Sequence, residues 1–291
     1  MSGSPRNFGG LPADQTDRRT ARFLVLPVPF EESVSFGGGT GRGPAAVIEA
    51  SRQVELWDEE LLAETCEEGI HTLPAFRPKA RGEKYLKELA RESARLIREG
   101  KILVSLGGEH SITPALVEGV RTKYPKLSVF QIDAHADLRE EYEGREWSHA
   151  CAMKRVLDQG CRIAQAGIRN YSSGEVALVN RGRVATSFAH ETRTAADLKK
   201  AVERSLKHLT EDVYVTVDID GLDPALVPGT GTPEPGGLSW YEALEFLRPV
   251  FARKNVVAFD VVEVAPLRGS SVSQFVAAKL AYRMMGYASR A

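Results

Sequence analysis

The chain has 291 residues, room for one large α/β domain or two small ones. Its 38 basic and 39 acidic side chains leave a net charge of −1, and neither sign gathers into a run that suits a nucleic-acid face. No stretch reaches the roughly 18 to 20 apolar residues of a membrane span, and the start lacks the order of a signal peptide, so the expectation is a cytoplasmic protein acting on a small molecule.

Residues 1–20 are rich in Gly, Ser, Pro, Asp and Arg, and their composition predicts a flexible arm, with a single domain over 21–291. Apolar runs at 23–26, 102–106, 127–132, 213–219 and 256–262 are nearly unbroken, as in strands covered on both faces. Between them the pattern predicts amphipathic helices over 83–99, 112–122, 149–159, 194–209, 239–253 and 271–285, with cap-type residues such as Ser148 and Ser239 opening two of them. This alternation predicts a three-layer α/β/α domain with a mainly parallel sheet. Such sheets bind ligands beyond the carboxyl ends of their strands. Three cysteines, Cys66, Cys151 and Cys161, form no Cys-x-x-Cys pair and read as buried thiols.

Two of the strand ends carry the chemistry. Asp133-Ala134-His135-Ala136-Asp137 follows the 127–132 run, and Asp218-Ile219-Asp220 closes the 213–219 run. Alternate residues of an extended chain reach toward one face, so these side chains can converge on a common point. Four carboxylates and a histidine gathered there would repel one another and lose solvation unless cations neutralised them. The pattern is the signature of a two-metal site, and its hard oxygen donors with imidazole favour Mn²⁺-type ions over thiolate-loving metals.

Together with Gly107-Gly108-Glu109-His110-Ser111-Ile112, Ser148-His149, Asp218 to Pro224, Gly229-Thr230-Gly231-Thr232-Pro233 and Asp260-Val261-Val262-Glu263-Val264, these segments resemble the ureohydrolase family of arginases, agmatinases and related enzymes. The blocks fall in the family's order from Gly107 to Pro266, and the Gly-rich Ser35 to Pro44 segment extends the likeness. The resemblance implies two Mn²⁺ ions per subunit, an arginase-like fold, a homotrimer or homohexamer, and hydrolysis of a guanidinium group to urea and an amine. It implies that His110 and Asp137 hold one ion, that His135 and Asp220 hold the other, and that Asp133 and Asp218 bridge them. Glu263 would pair with the substrate guanidinium, His149 would carry a proton to the leaving amine, and Thr232 would lie near the substrate. Asp220 joins His149 and Glu263 in the catalytic set. Two adjacent ions lower the pKa of a shared water, the potent nucleophile that a delocalised guanidinium requires.

Between Asp137 and His149 the chain lacks the Asn- and Ser-rich segment that arginases use around an amino-acid head, so agmatine is the expected substrate. Aminopropylagmatine or its carboxylated relative, guanidinobutyrate and arginine remain alternatives. The acidic loop Glu140, Glu141, Glu143 and Glu146 is expected to attract a distal ammonium, to be solvated, or to be paired with Arg139 and Arg145. Two readings of another class stand beside this one. Asp218-Ile219-Asp220-Gly221-Leu222 resembles the nucleophile motif of aspartyl phosphatases, but that reading leaves Asp133, His135 and Asp137 unexplained. An inactive regulatory scaffold would be marked by a lost ligand, and none is lost. Cys151, the Gly37–Gly41 run, His71, His190 and His208 are assigned no catalytic role.

Overall fold

The structure is a computed structural model, and it describes residues 6–290. Ten strands are present among them: β1 (Phe23–Val28), β2 (Trp57–Asp58), β3 (Ala63–Glu64), β4 (Ile70–Thr72), β5 (Ile102–Gly107), β6 (Ser128–Ile132), β7 (Ile163–Ile168), β8 (Val184–Phe188), β9 (Asp212–Asp218) and β10 (Asn255–Val262). Eight build one sheet in the order β4-β1-β5-β10-β9-β6-β7-β8, every pairing parallel, while β2 and β3 form a short antiparallel pair. Seven α-helices cover it: α1 (Gly43–Ser51), α2 (Gly82–Ile97), α3 (Thr113–Arg121), α4 (Ala152–Asp158), α5 (Ala195–His208), α6 (Trp240–Arg253) and α7 (Val272–Ser289).

The sheet is sandwiched because its strands are apolar on both faces. Along β1, Phe23 and Val25 enter one core with side chains of α1, α5, α6 and α7, while Leu24, Leu26 and Val28 enter a second core with α2, α3 and α4. Period-two alternation with both faces buried is what a central parallel strand requires. The protein is thus a three-layer α/β/α domain with a mainly parallel sheet, as the alternation predicts.

The expectation of a flexible arm over 1–20 needs correction. Residues 1–5 lie outside the described residues, but Phe8 and Leu11 are both 1 % exposed and belong to the first core. Asn7 ties its side chain to both the N–H and the carbonyl of Leu11, and Phe8 N–H donates to Thr72 Oγ1 on β4. Two apolar side chains in a polar segment leave no periodicity to read, yet they are enough to pin it to the edge of the sheet. On the same side of the molecule Arg283 of α7, 1 % exposed, meets Asp58 at 2.5 Å, Glu59 at 2.6 Å and Glu60 at 2.5 Å, fastening the β2–β3 segment to α7.

Register decides where the site forms. Val262 pairs with Asp218, and Ile132 pairs with Val217 one step further along the sheet. Asp133, Asp218 and Glu263 therefore leave neighbouring strands at the same edge, and His110 follows the end of β5 beside them. No helix is long and apolar enough to cross a membrane among the described residues.

Candidate active site

Four adjacent strands, β5, β10, β9 and β6, each deliver one part of the site. After β5 the chain turns through Gly107 and Gly108, where a Cβ on Gly108 would overlap the Phe30 carbonyl oxygen, and His110 opens a short 3-10 turn ahead of α3. The absence of a side chain at Gly108 lets the two loops touch, which sets His110 against the strand ends. His110 Nδ1 then lies 3.1 Å from Asp133 Oδ2, 3.0 Å from Asp137 Oδ2 and 3.6 Å from Asp218 Oδ2. His135 Nδ1 lies 3.1 Å from Asp220 Oδ2 and 3.5 Å from Asp133 Oδ1. Asp133 thus faces both imidazoles, one oxygen to each.

The backbone is shaped for this convergence. Asp137 and Glu263 both have positive φ, +53° and +62°, uncommon for residues other than glycine and a sign that the site holds them there. Glu263 accepts a hydrogen bond from His110 N–H at 2.6 Å and donates its own N–H to the Gly108 carbonyl at 2.9 Å, locking the β10 end to the β5 end. Gly221 gives room for Asp133: a Cβ there would come within 2.7 Å of Asp133 N.

A second layer holds the imidazoles and carboxylates in place. His110 Nε2 bonds Thr216 Oγ1 at 2.9 Å, and Thr216 donates to Asp260 Oδ1. Asp260, fully buried, also accepts from Thr113 and Tyr214 hydroxyls at 2.8 Å each. Gln131 Nε2 donates to Asp133 Oδ2 at 2.7 Å, and Gln165 donates in turn to Gln131 at 2.6 Å. With Nε2 engaged in this way, His110 presents Nδ1 to the carboxylates.

The electrostatics call for cations. Burial, followed by the charge of Asp133, pushes the Asp137 carboxyl up to about 7. Burial and the carboxylates of Asp220, Asp133 and Glu263 push Asp218 well above the usual range. Against the opposing effect of burial, Asp220 and Asp133 drive His135 up to about 12. Buried like charges at this spacing produce such shifts, and bound cations would relieve them. His110 Nδ1 is a buried atom with no hydrogen-bond partner, although three carboxylates surround it. Two groups, His110 with Asp133 and Asp137, and Asp133 with His135 and Asp220, bring their ligand atoms within 4.8 Å of one another. Two neighbouring metal positions sharing Asp133 fit this donor set.

The cleft above the carboxylates is lined by Glu263, His149, Thr232, Glu234, Asn170 and the Ser33–Gly37 loop, among others. Thr232 donates to Asp220 Oδ2 at 3.3 Å. His149 begins the segment that leads into α4, and its ring is clasped by Ser33 and Ser35. Burial holds its imidazole down, to about 4, so it is neutral at physiological pH. Eight of the nine predicted site residues therefore line one cleft, and the ninth, Asp133, lies fully buried beneath it against His110 and His135. The acidic loop is placed differently from the expectation that it attracts substrate: Glu140 pairs with Lys154 and Arg155, Glu146 faces Arg155, and none of the four loop glutamates lines the cleft. The pairing partners also differ from the expected Arg139 and Arg145. Helical spacing on α4 sets Lys154 and Arg155 under the loop, and no local pattern in the loop itself reveals them.

Sequence reasoning missed Ser33, Ser35, Glu109, Thr216, Asp260, Asn170 and Glu234. Of these Glu109, Asp260 and Ser35 lie inside segments that the sequence singles out, and for the two acids a charged residue in an apolar strand or beside a glycine pair is the available signal. The other positions reach the site only through tertiary packing.

The arginase family model matches residues 21–286. The chain is 40 % identical to an N(1)-aminopropylagmatine ureohydrolase of Synechocystis, covering 94 % of this chain and 90 % of that one. It is 32 % identical to an agmatinase of Pyrococcus horikoshii, covering 94 % of each. The crystal structure of an agmatine ureohydrolase of Thermoplasma volcanium superposes with a TM-score of 0.88 at 26 % identity, over 99 % of this chain and 96 % of that one. The chain belongs to the arginase family, the ureohydrolases, whose fold is built around a binuclear metal centre. The Synechocystis relative is named for N(1)-aminopropylagmatine and the Pyrococcus relative is named an agmatinase.

Proposed function

We propose that the protein hydrolyses the guanidino group of agmatine, releasing urea and putrescine, with two Mn²⁺ ions held by His110, Asp133, His135, Asp137, Asp218 and Asp220. The observation that carries this reading is the placement of Glu263 and His149 over a cluster of buried carboxylates and imidazoles in one cleft. When bound, the ions neutralise the carboxylates and supply an acidified water as nucleophile. Glu263 holds the guanidinium by a charge-assisted pair and turns its central carbon toward the floor of the cleft. Burial and the nearby Glu109 charge push the Glu263 carboxyl well up, so a cation is what stabilises its ionised form there. As water adds to that carbon, the C–N bond to the substrate's amine breaks, and His149 passes a proton to the departing nitrogen. A neutral imidazole first takes that proton from the side where the water reacts.

N(1)-aminopropylagmatine is the second reading, favoured by the higher identity to a relative of that name. A longer polyamine tail would extend past Glu234 and Asn170, whose side chains are joined at 2.5 Å on the cleft wall. The same reading places the enzyme in the cytoplasm as a homotrimer or homohexamer, which sedimentation of the purified protein checks. The deciding experiment is urea release from agmatine, N(1)-aminopropylagmatine, guanidinobutyrate and arginine by Mn²⁺-loaded protein. An amine-tailed guanidine is expected to exceed arginine in kcat/KM by at least roughly 10²-fold. A best rate on arginine or guanidinobutyrate overturns the substrate, and no urea from any of them overturns the activity.

A further inference from the structure

Glu109 is a buried carboxylate that the proposed reaction does not use. It follows Gly107-Gly108 and is 1 % exposed, yet among the described residues no Lys or Arg pairs with it. Four donors surround it instead. The backbone N–H groups of Glu32 and Ser33 reach Oε2 at 2.6 and 2.7 Å, and the hydroxyls of Ser111 and Ser33 reach Oε1 at 2.5 and 2.7 Å. A carboxylate offers about four lone-pair positions, and here all are taken by donors.

That saturation fixes the proton of Ser33. Its hydroxyl has one hydrogen and two acceptor positions. The hydrogen goes to Glu109, and one acceptor position takes the backbone N–H of His149 at 3.1 Å. His149 Nδ1 lies 3.0 Å from the same oxygen, so the remaining acceptor position requires Nδ1 to be the donor. Ser148 Oγ stands at 3.4 Å from Nδ1, too far to compete. The proton of the neutral ring therefore rests on Nδ1, and Nε2 carries the lone pair. Ser35 Oγ, 2.8 Å from Nε2, donates to it.

We infer that Glu109 and Ser33 are positioning residues that hold His149 in the Nδ1–H tautomer, leaving Nε2 as the one ring atom that exchanges a proton with the substrate, with Ser35 as its hydrogen-bond partner. This rests on the reading of His149 as the proton carrier. The wrong tautomer would turn an N–H toward the nitrogen or water whose proton must be received, and the ring would have no lone pair to offer. The same contacts fasten the Ser33–Gly37 loop to the segment that carries His110, so the loop over the cleft and the ring beneath it are held by one carboxylate.

The test compares Mn²⁺-loaded Ser33→Ala, Ser33→Thr, Glu109→Gln and His149→Ala enzymes, each with its metal content measured. Ser33→Ala and Glu109→Gln are expected to lower kcat by roughly 10- to 10²-fold with little change in KM or metal content, and Ser33→Thr, which keeps the hydroxyl, to recover most of the rate. The loss should shrink on a fluoroalkyl guanidine, whose weakly basic leaving amine needs less help from an acid. A second readout is independent of any substrate: ¹⁵N NMR of histidine-labelled protein loaded with diamagnetic Zn²⁺ should show Nδ1 of His149 protonated, and a mixture of tautomers in Ser33→Ala. Full rate in Ser33→Ala beside a slow His149→Ala, an Nε2-protonated ring in the parent protein, or a loss that Ser33→Thr does not repair overturns the relay. Full rate in His149→Ala overturns the reading of His149 itself, while the NMR result still decides the tautomer.

Discussion

Thr216 donates its hydroxyl proton to Asp260 at 2.6 Å, in the interior of the sheet, and so has only its lone pairs to offer His110. The imidazole must then carry hydrogen on Nε2 and turn Nδ1, bare, toward Asp133 and Asp137. Thr216→Val and Asp260→Asn are expected to weaken the ion at the His110 position by about 10- to 10²-fold, the usual worth of such a partner, and to spare the ion at His135. Titration of Mn²⁺ per subunit checks this, and equal weakening of both ions would refute it.

Asp133→Ala should remove both ions, because its two oxygens face the two imidazoles separately. Asp137→Ala should remove only the ion near His110, since Asp137 belongs to that group alone. Metal analysis of the two purified variants distinguishes them; one ion retained in Asp133→Ala contradicts the shared carboxylate.

Stability of the metal-free protein should fall as pH rises. The Asp137 carboxyl, raised from 3.8 to about 7 in the fold, stabilises fully below pH 3.8 and loses that contribution as pH climbs to 7. Asp218 and Glu263 are shifted the same way, and His135, raised to about 12, adds a loss that begins above 6.5. Asp133 is held below its ordinary value by His110 and His135 despite burial, so its contribution is constant above pH 3.8. His149, lowered to about 4, works in the opposite sense between 4 and 6.5, one imidazole against five raised carboxyls, those of Glu109, Asp137, Asp218, Asp260 and Glu263. The expected outcome is a metal-free Tm that declines from pH 4.5 to 8, with Mn²⁺ raising Tm most at pH 8. Thermal melts with and without chelator decide the matter, and a rising metal-free Tm would reject it.

Removing Arg283 leaves Asp58, wholly buried, without its cation. Arg283→Ala should cost about 3–5 kcal/mol, the typical penalty for breaking a buried pair from one side. Denaturant unfolding measures it, and a change below about 1 kcal/mol, the range of an exposed ion pair, would show the cluster to be solvated.

Neutralising Glu140, Glu141 and Glu143 together should leave the preference for agmatine over arginine unchanged, because these side chains lie outside the cleft. Glu234→Gln should reduce it, since that carboxylate is on the cleft wall. Kinetics on the two substrates settle which acidic group the amine tail meets.

The strands that carry ligands were the legible ones. β5, β6, β9 and β10 are unbroken runs of apolar and β-branched residues that end in charge, and the structure reproduces them to within one residue at each end. β7 and β8 were not read, because Gln165 and Thr186 place polar atoms in the middle of the sheet, where their mutual hydrogen bond hides them from water. α1 was masked by its opening Gly43-Pro44, which suits a helix start as well as a loop. In the site, motifs written on adjacent residues were visible, whereas Ser33 and Thr216 matter only through partners 44 to 116 residues away.

The order of the sheet has a consequence for synthesis. Leu106 of β5 pairs with Val261 of β10, so the last strand is threaded between β5, made early, and β9, made just before it. While the ribosome is still producing β9, the chain already displays Asp133, His135 and Asp137 beyond the end of β6 but has no β10 beside β5 to bring them up to His110. The cage is then open, and ions bound to such a fragment are held by few donors and exchange freely. On the proposed metal site, firm capture of ions would mark a finished chain, and a nascent or truncated one would be told apart by its failure to retain them.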